Sequence, residues 1–143
     1  MKVGRVRVIL MCLFLLGFAA QVAAIISVGD KIFSDERQAL IMRLLTIYSV
    51  HLSVVLGGIF AHRPNPKART SFLGWSAILV VLLWNALLVW RSVAFSVASQ
   101  DSAAQLASYL EQVGSASSFL VSGALTFFFV KSADSFSPRE SGA

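Results

Sequence analysis

Residues 72–95 read FLGWSAILVVLLWNALLVWRSVAF, an apolar run whose most polar members are Asn85 near its middle and Arg91 near its end. A helix rises 1.5 Å per residue, so about 20 residues cross a bilayer core roughly 30 Å thick. Hydrocarbon offers no partner for backbone N–H and C=O groups, so a run of this kind must be helical. Residues 6–28, 39–61 and 107–130 are three further runs of the same character. The expected fold class is all-α: an integral membrane four-helix transmembrane bundle with antiparallel neighbours joined by short links. It occupies residues 1–131, and the Ser-rich segment 132–143 is expected to be a disordered cytoplasmic tail.

Composition agrees. Of 143 residues, 57% are hydrophobic and 13% charged, about half the usual charged share of roughly 25%. No stretch is long enough for a separate soluble domain, so any activity must reside in the bundle or its links. The net charge of +5 invites a nucleic-acid reading, but the basic residues flank the spans and are better explained as orientation signals. No nucleic-acid partner is expected. The one cysteine, Cys12, supports neither a disulfide framework nor a cysteine metal site and reads as a packing residue. Lys2, Arg5 and Arg7 ahead of an apolar segment resemble a signal peptide, but the run continues through Ile25, Ile26 and Val28. A retained helix is expected.

Charge also orients the chain. Lys2, Arg5 and Arg7 at the start, and Arg63, Lys67 and Arg69 in the second link, have no acid beside them. The first link is mixed, with Asp30, Lys31, Asp35, Glu36 and Arg37, and the third carries only Asp101. Lys and Arg collect in cytoplasmic loops, so both termini are expected in the cytoplasm. Compactness points to a prokaryotic plasma membrane. Arg43 and Arg91 fall near the outer helix ends, where long basic side chains reach the headgroups. Glu111 is expected at the same level as a structural partner of Arg43 or Arg91. Asp35 with Gln38, and Ser102 with Gln105, read as capping boxes opening the second and fourth helices. Pro64 and Pro66 end the second.

The candidate intramembrane polar site comprises His51, Asn85, Ser115, Ser118 and Ser122. His51 lies close to the midplane, and an ionisable residue there is by default a functional candidate. The plainer reading is a neutral imidazole hydrogen-bonded to a neighbouring helix. Packing is the default expectation for Asn85, with a bond to His51 or to the serines, or a self-association seam, as the alternatives. In the last helix Gln105, Ser108, Gln112, Ser115, Ser118, Ser122 and Thr126 recur at helical spacing along one face. A polar stripe avoids lipid, so it should face a helix or water. Helix packing is expected too of Ser49, Ser53 and Gly57 in the second helix and Gly17, Ala20 and Ala24 in the first, since small residues let backbones approach.

No Asp or Glu falls in the central part of any span. The chain resembles the small four-helix drug-efflux proteins in size, but those depend on an acid in helix one, where this chain has only Gln21. The resemblance is rejected. There is no Ser/His/Asp set, no phosphate loop and no metal-ligand spacing, so no catalytic residue and no metal is assigned. No cofactor is expected, although a haem shared between copies through paired His51 residues, or a quinone near His51, stays open. His62 lies at the end of the same helix, so one chain cannot clamp a haem between its two histidines.

The leading expectation is a non-enzymatic accessory or scaffold subunit in the lipid bilayer, packing with itself as a homo-oligomer or with a larger membrane complex. Its rivals are an oligomeric channel lined by the last helix and a redox protein.

Overall fold

The computed structural model describes residues 2–28, 32–61, 72–98 and 101–134. They form four helices: α1 (Val3–Ser27), α2 (Ser34–Ala61), α3 (Phe72–Ala98) and α4 (Ala103–Asp134). All four are long and apolar enough to cross a membrane. The outside of the assembly is as apolar as its sequence demands. Leu16, Leu79, Leu83, Leu87, Trp90, Phe119 and Phe127 are all exposed. A water-soluble monomer rarely displays contiguous apolar surface on this scale. The chain is a membrane protein.

Each helix buries one stripe. In α2 it is Leu40, Leu44, Tyr48, His51 and Val55; in α3 it is Ala77, Val81, Trp84, Leu88, Ser92 and Phe95. These steps of three and four residues keep the buried side chains on one helical face. His51 therefore belongs to the core seam of α2.

The helices close a ring in which α1 packs on α2 and α3, and α4 packs on the same two. Neighbours in the chain are not always neighbours in space. α1 and α2 run in opposite directions, for Phe14 meets His51 while Gln21 meets Tyr48. α1 and α3 run in the same direction, with Phe14 against Trp84 and Gln21 against Ser92. α2 and α4 do likewise, with Arg43 at Glu111, Ile47 at Gly114, His51 at Ser122 and Gly58 at Phe129. The consecutive helices α2 and α3 lie across the ring from each other. The expected pairing of consecutive helices as antiparallel neighbours therefore does not extend to α2 and α3. A link spanning 62–71 reaches roughly 33 Å when extended, ample to cross a bundle whose helices sit about 10 Å apart. Chain length does not force α2 and α3 together.

Local signals fared unevenly. The Ser102–Gln105 capping box forms, with Ser102 N–H donating to Gln105 Oε1 at 2.8 Å and Gln105 N–H donating to Ser102 Oγ at 3.3 Å. The Asp35–Gln38 box does not. Helix α2 opens earlier, where Phe33 N–H donates to Glu36 Oε2 at 3.2 Å, because Glu36 stands three residues after Phe33, the N3 position of the box. Helix α4, at 32 residues, is about 48 Å long and passes well beyond a hydrocarbon core. It runs through Asp134, so residues 132–134 continue the helix instead of starting the tail. Asp30, Lys31, His62, Arg63, Pro64, Pro66, Lys67, Arg69 and the remainder of the tail lie outside the described residues.

Candidate functional site

The centre of the bundle is polar. Gln21 from α1, Tyr48 and His51 from α2, Asn85 and Ser92 from α3 and Ser122 from α4 supply the polar groups. Gln21 Nε2 donates to Tyr48 Oη at 2.5 Å, and Tyr48 Oη donates to Asn85 Oδ1 at 2.7 Å. Ser92 Oγ donates to Gln21 Oε1 at 3.4 Å, while Asn85 Nδ2 donates to the Val81 carbonyl at 2.9 Å. One relay therefore ties α1, α2 and α3 together. Interhelical hydrogen bonds in membranes contribute about 0.6 kcal/mol on average, so the relay selects the register of three helices more than it stabilises them.

Gly17 makes room for it. A Cβ there would overlap Asn85 Oδ1 and stand 3.0 Å from Tyr48 Oη. Gly17 thus packs closely, against polar atoms of α2 and α3. Ala24 is buried as well, whereas Ala20 is exposed.

His51 is the second polar feature, and it is separate from the relay. Its side chain is 0% exposed. Nδ1 lies 3.3 Å from Ser122 Oγ. The ring stacks on Phe14 at a centroid distance of 5.8 Å and meets Trp84 in a T-shaped arrangement at 4.9 Å. Tyr48 sits one turn away on the same helix and contacts Phe14 and Trp84 at 6.2 and 5.1 Å. Among the described residues, neither His51 Nε2 nor Trp84 Nε1 has a hydrogen-bond partner. Most buried polar groups are paired, and each exception needs an explanation.

Several expected placements change. Asn85 bonds to Tyr48 and to its own helix, and not to His51 or the serines, because Gly17 draws α1 in and fixes the amide against Tyr48. The α4 stripe does not face inward along its length. Leu106, Leu110, Val121, Leu125 and Phe128 take the core positions, and they lie on other faces of α4 than Gln105, Ser108, Gln112 and Ser115, which are exposed. Ser115 Oγ donates to its own Glu111 carbonyl, which satisfies the hydroxyl without a second helix. Only Ser118 and Ser122 of the candidate serines turn partly inward. Ser49, Ser53 and Gly57 do not pack inside the chain either. Ser49 and Ser53 donate to the carbonyls of Thr46 and Val50 at 2.8 and 2.7 Å, and a Cβ on Gly57 would meet nothing within 4 Å. Cys12 is exposed, not packed.

The charges pair as Arg43 with Glu111 and Arg91 with Asp101. Arg91 also lies over the ring of Tyr109, 5.3 Å from its centroid. Between α2 and α4, Thr46, Ile47, Val50, Glu111, Ser115 and Ser118 line a groove of about 390 Å³, together with Gly114. At the opposite end of the bundle Arg7 is buried, with its guanidinium 5.4 Å from the centroid of Phe129.

Sequence reasoning passed over Tyr48, Ser92 and the burial of Arg7. Tyr48 was detectable, standing three residues before His51 and so on the same helical face. Nothing in the sequence marks Ser92. No group of three or more His, Cys, Asp or Glu side chains among the described residues could hold a metal ion. The His51 side chain is enclosed in the bundle, so a haem bridging two copies would require the bundle to open. No protein-family model, curated protein or solved structure matches the chain.

Proposed function

We propose that this protein is a non-enzymatic accessory or scaffold subunit of a membrane assembly, associating through the outward face of α2 with a second copy or a larger companion. Both termini lie in the cytoplasm in this reading, and the membrane is a prokaryotic plasma membrane. The observation that supports it is the outward row Ser49, Ser53 and Gly57. The chain uses Gly17, Gly58 and Gly114 for its own close contacts, but leaves this second small-residue face uncovered. Small residues at four-residue spacing are how transmembrane helices bring backbones together, and open space over Gly57 is the shape a partner helix requires. Satisfied hydroxyls at Ser49 and Ser53 mean that the face tolerates lipid until the partner arrives.

The test is gentle detergent extraction of the full chain, followed by measurement of what copurifies and in what ratio. Gly57→Leu should disperse the assembly while leaving the helical content intact. A chain that stays monomeric at every protein-to-detergent ratio and captures no stoichiometric companion defeats the proposal. So does saturable turnover or transport by the purified chain in liposomes.

A further inference from the structure

We infer that His51 is a proton-binding site inside the bundle, reached from the end where α4 begins through the groove between α2 and α4. The groove ends about one turn short of the histidine along α4. Its lining ends at Val50 on α2 and Ser118 on α4. The next residue on α2 is His51, and one turn further along α4 is Ser122, the hydroxyl that touches His51 Nδ1. From Glu111 at the mouth to Ser122 is about 16 Å along α4, half the thickness of a bilayer core. Glu111, Ser115, Ser118 and Ser122 follow one another at steps of three or four, so polar atoms recur every turn along that depth.

The imidazole is enclosed by aromatic rings. Phe14 and Trp84 have ring centroids 5.8 and 4.9 Å from that of His51. Rings this close report on the imidazole, because a change in its charge alters the field at Trp84. From α1 the ring meets Phe14, from α3 Trp84 and from α4 Ser122; Tyr48 on its own helix is the nearest other titratable side chain. The charged groups stand further off: Arg43 and Glu111 at the groove mouth, and Arg7 beside Phe129 towards the other end. The buried Nε2 has no partner among the described residues, and a buried polar group of that kind calls for an explanation.

Protonation proceeds with Ser122 Oγ donating its proton to His51 Nδ1 as it takes another from water in the groove. One N–H bond forms, the Ser122 O–H bond breaks and is remade, and one O–H bond of hydronium breaks to supply the added proton and its charge. Release runs the same steps in reverse.

The experiment uses the full chain in lipid nanodiscs with Trp75→Phe and Trp90→Phe, so that Trp84 alone reports. Both replaced residues are exposed. Trp84 emission should fall reversibly as pH is lowered through a single transition between about pH 5 and 8, the range in which histidines ordinarily change charge. The transition should vanish in His51→Gln. Ser118→Leu, which fills the groove, should slow the response to a pH jump several-fold and leave its end point unchanged. Because His51→Gln can misfold, imidazole ¹⁵N shifts in a His62→Gln chain, where His51 is the remaining histidine, provide an independent reading. Flat emission and unchanging ¹⁵N shifts across that range overturn the proposal. A transition that survives in folded His51→Gln overturns it too, and an unaltered jump rate in Ser118→Leu overturns the assigned route.

Discussion

The ring of Phe129 occupies the space a side chain on Gly58 would need: a Cβ at Gly58 would lie 2.5 Å from Phe129 Cε1. One residue earlier, Gly57 faces open space. The two adjacent glycines, indistinguishable in sequence, have opposite duties.

Substitution should separate them. Gly58→Ala forces Phe129 or the backbone of α2 to move and is expected to destabilise the fold by about 1–3 kcal/mol, the usual cost of overpacking. Gly57→Ala should be neutral to slightly stabilising, since Ala favours helix over Gly by about 1 kcal/mol. Thermal unfolding followed by circular dichroism, on both variants in the same detergent, makes the comparison.

Gly17→Ala should be the more damaging of the α1 substitutions. The new methyl would overlap Asn85 Oδ1, pushing the amide off Tyr48 and leaving Gln21 and Asn85 to find other partners. Unsatisfied buried polar groups cost about 1–3 kcal/mol each. Ala20→Gly, on the exposed side of the same helix, should cost no more than about 1 kcal/mol. Unfolding midpoints that rank the other way contradict the relay.

Tyr48→Phe removes the hydroxyl that both accepts from Gln21 and donates to Asn85, and keeps the ring. It should lower stability by more than the removal of either neighbour's single contact predicts, because one atom joins two helices to α2. A double-mutant cycle with Asn85→Leu measures the coupling, and a coupling near zero means the relay is not energetically connected.

The Arg43–Glu111 pair is exposed on both sides, at 44% and 56%. Exposed pairs contribute about 0.2–1 kcal/mol, so Glu111→Gln should barely change stability. Reversing both charges in one chain, Arg43→Glu together with Glu111→Arg, should be equally tolerated. Unfolding midpoints in detergent check both variants, and a loss well above that range would mean the pair is desolvated by lipid or by a partner.

Cysteines introduced one at a time in a Cys12→Ser chain should react with a water-soluble thiol reagent in the order Ser115, then Ser118, then Ser122. Those at Phe119 and Leu120 should stay protected within lipid. Both latter residues are exposed on the apolar side of α4, so protection there reports lipid contact and not burial. Uniform protection of all five positions means that water does not enter the groove.

The sequence made the helices legible because lipid imposes a simple requirement: every backbone polar group must be satisfied within its own segment. Length and apolarity of residues 72–95 were enough for α3, and Ser102 with Gln105 marked the start of α4. The Arg43–Glu111 pairing was visible as one of two choices. Asn85 stood out in the sequence as a buried polar group, but its partner, Tyr48, did not.

Which face of each helix turns inward was not legible, and the reason is the solvent. In water, burial sorts apolar from polar residues and leaves a clear period; in a bilayer both faces are apolar, and the sorting signal fades. Apolarity and spacing alone therefore determined four membrane-length helices with a histidine and an asparagine at mid-depth. Only the packed bundle decided that α2 sits across from α3, that Gly17 and Gly58 are close contacts while Gly57 is open, and that His51 meets Ser122. Those outcomes depend on shape complementarity between side chains far apart in the chain, which no local pattern encodes.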